Sequence, residues 1–226
     1  MRGTQSRLTA TVRKRIRLDY LVYLPKARRT GRGRRPLMVF LHGMGERGAD
    51  LSLVAKHGPP KEAERGRDFP FVLVAPQCPL GSAWIFQMDA LGALLKEVIA
   101  RYAIDTGRIY LTGLSMGGAG TWHLAAEHPR AFAAAVPICG RAMPALGFPE
   151  RVQVLKDLPI WVFHGAQDKT VPIRESRVLV DSLREAGSGV RFTVYPKAAH
   201  DSWTKSYANP KLYEWLLKQR NEKFRL

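Results

Sequence analysis

Short apolar runs alternate with helical patterns along most of this chain, and this alternation restricts the folds open to it. The apolar runs lie at 37–41, 71–75, 108–113, 131–138, 160–165 and 190–196, with helical patterns near 88–102, 117–128, 172–186 and 210–219. Continuous apolar strands separated by helices are typical of a parallel sheet covered on both faces. Two further runs, 8–12 and 16–24, have the pattern of an antiparallel hairpin. We therefore predict an α/β fold with a mostly parallel, eight-stranded sheet and helices on both faces.

The organisation of the chain favours one domain. Its 226 residues suit one large α/β domain, and no composition break or internal repeat divides them. We therefore expect a single domain over 1–226, in which 1–35 form a basic hairpin and loop. No run approaches the about 18 apolar residues that span a membrane, and the N-terminus lacks the apolar core of a signal peptide. On this basis we expect a cytoplasmic protein without a membrane span.

The stretch GLSMG at 113–117 places a serine directly between an apolar run and a helical pattern. The pattern G-x-S-x-G in a strand–turn–helix context is typical of a nucleophile elbow, which exposes the serine hydroxyl at the edge of the sheet. Glycines at 118 and 120 allow the following helix to approach the strands closely. Ser115 is therefore the candidate nucleophile.

A serine hydroxyl needs a base to remove its proton and a carboxylate to orient that base. In this fold the chain order is Ser, then Asp or Glu, then His. Asp168 follows the run at 160–165, and His200 follows the run at 190–196. The sequence therefore predicts a triad of Ser115, Asp168 and His200.

Two other acids compete with Asp168 for the orienting role. Asp201 adjoins His200, but the side chains of neighbouring residues diverge, and Asp157 precedes its strand and so lies at the wrong end of the sheet. The remaining histidines are interpreted as structural or distant from the strand ends: His42, His57, His123, His128 and His164.

A tetrahedral intermediate also needs hydrogen-bond donors for its oxyanion. The residue after the nucleophile, Met116, supplies one backbone N–H. The glycine-rich loop at 42–45 follows another strand, and we expect its second donor to be Met44. His42 is expected to hold this loop in place.

The motifs LHGMGERG, LTGLSMGGAGTW, HGAQDKTVP and AHDSW occur in this order along the chain. Together they resemble the α/β-hydrolase superfamily, especially its small carboxylesterase/phospholipase and dienelactone-hydrolase-like branch, often labelled predicted peptidases or prolyl-oligopeptidase-like esterases. The resemblance extends from about residue 20 to 217. It implies the same triad and the same oxyanion-hole residues. Dienelactone hydrolases proper use a cysteine nucleophile, so the serine at 115 favours esterase chemistry.

The expected substrate is a small ester. The segment at 140–159 is too short for a large lid, so we predict an open pocket rimmed by Trp84, Phe86 and Trp203. Trp84 and Trp203 are the candidate substrate-binding residues, although either could be a core aromatic. The interpretation is a serine carboxylesterase for short-chain or aryl esters. A peptidase or thioesterase of the same fold, or a binding module without catalysis, are the alternatives.

Charge and cysteine content bear on partners and cofactors. Of the net charge of +17, residues 1–35 contribute +11, from twelve Lys or Arg and one Asp. Such clusters can bind nucleic acid, but no nucleic-acid motif accompanies them, and we interpret them as a solvated surface. Cys78 and Cys139 form no metal-binding pattern and are predicted to be free thiols. We expect no metal and no cofactor, and a homo-oligomer remains open.

Overall fold

The computed structural model describes residues 13–26 and 33–226. Seven strands form one sheet in these parts of the chain, in the order β1-β3-β2-β4-β5-β6-β7. The strands are β1 (Tyr20–Tyr23), β2 (Arg35–Leu41), β3 (Val72–Pro76), β4 (Ile104–Leu114), β5 (Ala134–Ile138), β6 (Trp161–Gly165) and β7 (Arg191–Tyr195). Among these seven described strands, β1 alone pairs antiparallel, with β3. The predicted α/β fold with a mostly parallel sheet is confirmed, and the additional strand predicted at 8–12 lies outside the described residues.

In residues 13–26 and 33–226, six α-helices connect or follow the strands. They are α1 (Gly58–Glu64), α2 (Met88–Arg101), α3 (Met116–Glu127), α4 (Arg174–Glu185), α5 (Trp203–Tyr207) and α6 (Pro210–Leu217). The four predicted helices correspond to α2, α3, α4 and α6, whereas α1 and α5 were not predicted. Within the described ranges no helix is long and apolar enough to cross a bilayer.

The sheet is covered on both faces, as alternate residues of β2 show. Leu37, Val39 and Leu41 pack in a cluster with buried residues of α2, α3 and α4. Met38 and Phe40 face the other side and pack with residues of α5 and α6. Each of these five side chains is at most 1% exposed, and burial of a side chain of this size stabilises the fold by about 1.5–3 kcal/mol.

Strand register brings the carboxyl ends of the parallel strands to one edge. Leu41 at the end of β2 is opposite Gly113, and Leu114 at the end of β4 is opposite Ile138. The loops that follow these strands therefore start side by side. This edge is where ligands bind in open α/β sheets.

Two glycines let α3 lie against this edge. A Cβ at Gly117 would collide with the carbonyl group of Leu41, and one at Gly120 would lie 2.6 Å from the Cβ of Trp84. No residue larger than glycine fits at either position without displacing its neighbours. The small residues after the serine thus serve close packing, as the sequence predicts.

Candidate active site

Ser115 occupies a strained turn between β4 and α3. Its backbone has φ 52° and ψ −114°, and a positive φ is uncommon for a residue other than glycine. A hydrogen bond of 2.9 Å from the Ser115 N–H to the Ile138 carbonyl oxygen anchors this turn to β5. Strain of this kind persists only where the surroundings enforce it, and it is concentrated at functional sites.

The hydroxyl of Ser115 lies within hydrogen-bond distance of a histidine. His200 Nε2 is 2.9 Å from Ser115 Oγ, although the two residues are 85 positions apart in the chain. His200 comes from the loop after β7. A neutral imidazole at this distance can accept the hydroxyl proton.

Asp168 lies on the other side of that imidazole. Its Oδ2 is 2.7 Å from His200 Nδ1, and its Oδ1 accepts hydrogen bonds of 2.9 Å from the backbone N–H groups of Thr170 and Val171. The side chain of Asp168 is fully buried. These contacts fix the carboxylate, and because it can only accept hydrogen bonds when ionised, they fix the proton of His200 on Nδ1.

His164, a fully buried residue of β6, contacts the same carboxylate. Its Nε2 is 3.2 Å from Asp168 Oδ2 and 2.8 Å from the carbonyl oxygen of Val171, while its Nδ1 is 2.8 Å from Ser176 Oγ. Both neighbours of Nε2 are acceptors, so Nε2 must carry a proton. Burial lowers the pKa of His164, which favours the neutral tautomer with Nδ1 accepting from the serine hydroxyl.

Asp201 is turned away from His200. Its carboxylate accepts hydrogen bonds from Thr204, at 3.0 Å from the backbone N–H and 2.9 Å from the hydroxyl. It thereby satisfies donors at the start of α5. The geometry agrees with the choice of Asp168 over Asp201 made from the sequence.

Met116 and Met44, the expected oxyanion-hole residues, line the same cavity as Ser115. Met116 is the first residue of α3, where a backbone N–H has no acceptor within the helix. Met44 opens a short 3₁₀ turn, Met44–Glu46, directly after β2. Both backbones therefore stand at the edge where the serine is presented.

His42 holds the loop that carries Met44. Its Nδ1 donates to the carbonyl oxygen of Gly43 at 2.6 Å, and its Nε2 accepts from the backbone N–H of Cys78 at 2.9 Å. Burial lowers the pKa of His42 to about 4, so the ring is neutral. The expectation that His42 holds this loop is confirmed.

Trp84 does not line the pocket, and its predicted role in substrate binding is wrong. The side chain is fully buried, and its Nε1 donates to the carbonyl oxygen of His42 at 2.9 Å. It packs beneath α3 because the glycine at 120 leaves room for it. Its neighbours Ala83 and Ile85 line the cavity instead, and Phe86 is 69% exposed and lies outside it.

The cavity above Ser115 has a volume of about 520 Å³. One part is mainly apolar and lies over α3, where its walls include Ile85, Met116, Ala119 and Met143. We call this part the apolar arm.

Another part is more polar, and we call it the polar arm. It is bounded by Glu46, His57 and Trp203. Trp203 thus lies where the sequence predicts, and its ring packs edge-on against those of His200 and His57, at centroid distances of 5.2 and 5.6 Å. His57 was missed because its sequence neighbourhood carries no motif. Glu46 lies within the motif LHGMGERG but was missed because only backbone donors and His42 were assigned roles in that loop. The position of Glu46 two residues after Met44 was the one available signal.

Both cysteines are buried and free. Cys139 Sγ, Asp168 and His200 have potential ligand atoms within 4.8 Å of one another, the single such group among the described residues. However, the carboxylate and the imidazole bond to each other, and burial raises the pKa of the Cys139 thiol to about 12. A protonated thiol is a poor metal ligand, so the absence of a metal stays our prediction.

This protein is an α/β-hydrolase. It has the sheet order of that fold, a strained serine between β4 and α3, a histidine from the loop after β7 and a carboxylate from the loop after β6. A sequence model of the phospholipase/carboxylesterase family matches residues 86–213, more than half of the chain. The chain belongs to that family. The resemblance stated from the motifs is confirmed, as is the predicted enzyme class of carboxylic ester hydrolases.

Individual relatives vary in name and in coverage. Acyl-protein thioesterase 1 of Neurospora crassa is 24% identical over 197 residues, which cover 73% of this chain and 80% of that protein. A putative carboxymethylenebutenolidase of Methylorubrum extorquens is 36% identical over 101 residues, which cover 42% of this chain and 34% of that protein. Among solved structures, a thermostable esterase is 38% identical with a TM-score of 0.77, covering 90% of this chain. The chain spans 59% of that esterase's length.

Proposed function

We propose that this protein is a serine carboxylesterase that hydrolyses short-chain or aryl carboxylic esters. The observation that carries the proposal is the continuous hydrogen-bonded series from Ser115 Oγ through His200 to Asp168, at 2.9 and 2.7 Å, which opens into the cavity at the serine. Nucleophile, base and orienting carboxylate have the mutual geometry that acyl transfer requires.

In the proposed acylation, Ser115 Oγ attacks the ester carbonyl carbon while its proton passes to His200 Nε2. The carbonyl π electrons move to oxygen, and the N–H groups of Met44 and Met116 stabilise the resulting oxyanion. The carbonyl re-forms as the bond to the alcohol oxygen breaks, and His200 delivers its proton to that oxygen. The products are the free alcohol and an acyl-Ser115 ester.

Deacylation repeats these steps with water as the nucleophile. His200 accepts a proton from water, and the hydroxide oxygen bonds to the acyl carbon. The proton then returns to Ser115 Oγ as the acid leaves. Asp168 keeps Nδ1 protonated throughout and stabilises the imidazolium formed in each half-reaction.

The apolar arm supports a preference for short or aryl acyl groups. Ile85 and Met143 are among its apolar walls. The segment between β5 and β6 contains only the short 3₁₀ turns Pro144–Leu146 and Glu150–Leu155, so little surface is available to cover a long chain. Each buried methylene contributes about 0.8 kcal/mol, a gain that ends where the acyl chain leaves the cavity.

Thioester hydrolysis is the second candidate. The observation in its favour is the similarity to acyl-protein thioesterase 1 over 73% of this chain. The same residues would act, and a thiolate leaves without the proton that an alkoxide or an amine needs. Amide hydrolysis depends most on proton delivery by His200.

A matched butyryl series tests the proposal: the p-nitrophenyl ester, an alkyl thioester and the anilide. We expect kcat/KM to be highest for the ester, and Ser115→Ala to abolish fluorophosphonate labelling and lower activity by several orders of magnitude. Preference for the thioester would assign the second candidate. Labelling that persists in the Ala variant would show that the nucleophile lies elsewhere.

The ester series should also be extended in acyl length. A maximum kcat/KM at about two to six carbons is expected because little surface is available to cover a longer acyl chain. A maximum at twelve or more carbons, with activation at a lipid interface, would make the protein a lipase.

A further inference from the structure

The polar arm contains a buried carboxylate without a hydrogen-bond donor. Glu46 is 5% exposed and lines the cavity, yet no donor among the described residues lies within hydrogen-bond distance of its carboxylate. His57 Nε2 lies 3.7 Å from its Oε1. Buried polar groups normally have protein partners, and this largely buried carboxylate instead opens into the active-site cavity. It is therefore placed to accept a hydrogen bond from a ligand group.

The surroundings of Glu46 hold it in place without satisfying it. Gln77 Nε2 donates to the backbone carbonyl of Glu46 at 2.9 Å, which fixes the main chain. The adjacent Arg47 directs its guanidinium to the carbonyl oxygens of Met44 and Ser82. The nearest cation in sequence is therefore occupied elsewhere, and the carboxylate is a fixed acceptor.

His57 adds a second group of different character. Burial lowers its pKa, despite the opposing effect of Glu46, so near neutral pH the ring is an uncharged imidazole. Such a ring has one N–H donor and one acceptor nitrogen. With Glu46 it presents both kinds of hydrogen-bonding group to the cavity, and the indole of Trp203 adds an apolar wall beside them.

A set of acceptors and donors on an apolar wall selects for hydroxyl groups on a carbon skeleton. A hydroxyl both donates and accepts, whereas an ammonium group only donates and a carboxylate only accepts. The carboxylate of Glu46 repels an anion. Arg141, which also lines the cavity, disfavours a cation.

The polar arm, and not the apolar arm, lies beside the catalytic base His200. Trp203 packs edge-on against His200, and His57 packs edge-on against Trp203. In ester hydrolysis His200 passes its proton to the leaving oxygen, so the part of the substrate beside it is the alcohol. The polar arm thus adjoins the leaving group.

We infer that Glu46, His57 and Trp203 form a subsite for a polyhydroxylated alcohol, so that the preferred substrates are esters of sugars or other polyols. This inference rests on the proposed esterase function and names the alcohol side of its substrate. Glu46 accepts from a substrate hydroxyl, His57 exchanges a hydrogen bond with a neighbouring one, and Trp203 packs against the carbon skeleton.

The test compares three acetates on wild-type protein. They are a methyl glucoside acetylated on its primary hydroxyl, cyclohexylmethyl acetate, which has the ring without hydroxyls, and an amino-substituted cyclohexylmethyl acetate. We expect kcat/KM for the sugar ester to exceed that for cyclohexylmethyl acetate by at least about tenfold. The analogue has no hydroxyls, so it leaves the hydrogen-bonding groups of the subsite without partners. Equal values, or the highest value for the amine, would overturn the inference.

Variants assign the preference to the subsite. Glu46→Gln should lower the ratio of the two kcat/KM values by about tenfold, since a charged acceptor is replaced by a neutral amide. Glu62→Gln on α1, half-buried and outside the cavity, is the matched control and should keep the ratio. An unchanged ratio in Glu46→Gln would contradict the role of Glu46, whatever its effect on stability.

The esterase function and the polyol subsite can be tested separately with these substrates. If no acetate and no p-nitrophenyl ester is hydrolysed, the proposed esterase function is wrong. If all are hydrolysed without regard to hydroxyls, esterase function stands and the polyol subsite is wrong.

Discussion

His164 Nε2 lies 3.2 Å from Asp168 Oδ2, the oxygen that also lies 2.7 Å from His200 Nδ1. One carboxylate oxygen thus lies beside the ring N–H groups of two histidines, and the N–H of His164 donates to the Val171 carbonyl oxygen at 2.8 Å. The His164 side chain is fully buried and is held at its other nitrogen by Ser176. It does not face the cavity, so it can act on catalysis only through Asp168. We regard it as a positioning residue.

Replacement of His164 should therefore change the pH profile as well as the rate. His164→Leu removes the donor, and we expect kcat/KM to fall by about tenfold to a hundredfold, since small displacements of catalytic groups have effects of this size. Without that donor, Asp168 interacts more strongly with His200. The acidic limb of the kcat/KM profile should then move to higher pH.

The conservative variant separates positioning from packing. The amide nitrogen of Gln can reach the place of Nε2, so His164→Gln should recover part of the activity and the original profile. A profile that is unchanged in the Leu variant, in protein shown to be folded by circular dichroism, would argue that His164 only fills space.

The two acids near His200 should differ greatly in their effects on activity. Asp168→Asn presents an amide to the imidazole and disfavours the required tautomer, and in a comparable triad this change lowers kcat by about 10⁴. Asp201→Asn affects the start of α5, where the carboxylate bonds Thr204, and should lower kcat by less than about tenfold. Steady-state kinetics of both purified variants provide the measurement, and the opposite ranking would reverse the assignment.

The positions of Ser115, Asp168 and His200 were predictable because each carries a local signal. The serine stands between an apolar strand and small residues, and the other two follow strands in a fixed chain order. Parallel strands bring such positions to one edge of the sheet. Residues that follow different strands could therefore be expected to lie close together in space.

Side-chain direction within a short turn was not predictable in this way. Trp84 and Ile85 are adjacent in one 3₁₀ turn, Trp84–Phe86, and only the packing of α3 decides that the indole is buried and Ile85 faces the cavity. His57 and Glu46 meet through tertiary contacts between loops. His57 lies eleven positions after Glu46 and outside any motif. Helix α1 was missed because Gly-Pro-Pro reads as a loop, although proline is well tolerated in the first turn of a helix.

Buried neutral histidines should make the fold sensitive to acid. Burial lowers the pKa values of His42 and His123 to about 4. Their contribution to the free energy of unfolding is fully present above the unfolded value near 6.5 and is lost as pH falls toward 4. Each contributes on the order of 3 kcal/mol over that window.

Urea denaturation at several values between about pH 7.5 and pH 4.5 measures this effect. We expect the free energy of unfolding to fall below about pH 6.5. His123→Gln removes one titrating group and should flatten the dependence. An equally steep dependence in this variant would show that other groups cause the acid sensitivity.

The cysteines provide the last prediction. Cys78 follows β3 and Cys139 follows β5, and β2 and β4 lie between those strands in the sheet. Three strand spacings of about 4.8 Å exceed the separation of at most about 7 Å between Cα atoms that a disulfide allows. Burial also raises the thiol pKa values to about 11 for Cys78 and about 12 for Cys139, which suppresses the reactive thiolate.

A chromogenic thiol reagent should therefore detect two thiols per chain in unfolded, unreduced protein and react only slowly with the native protein. Absence of thiols after unfolding would reveal a disulfide, and rapid reaction of the native protein would contradict the burial of these side chains.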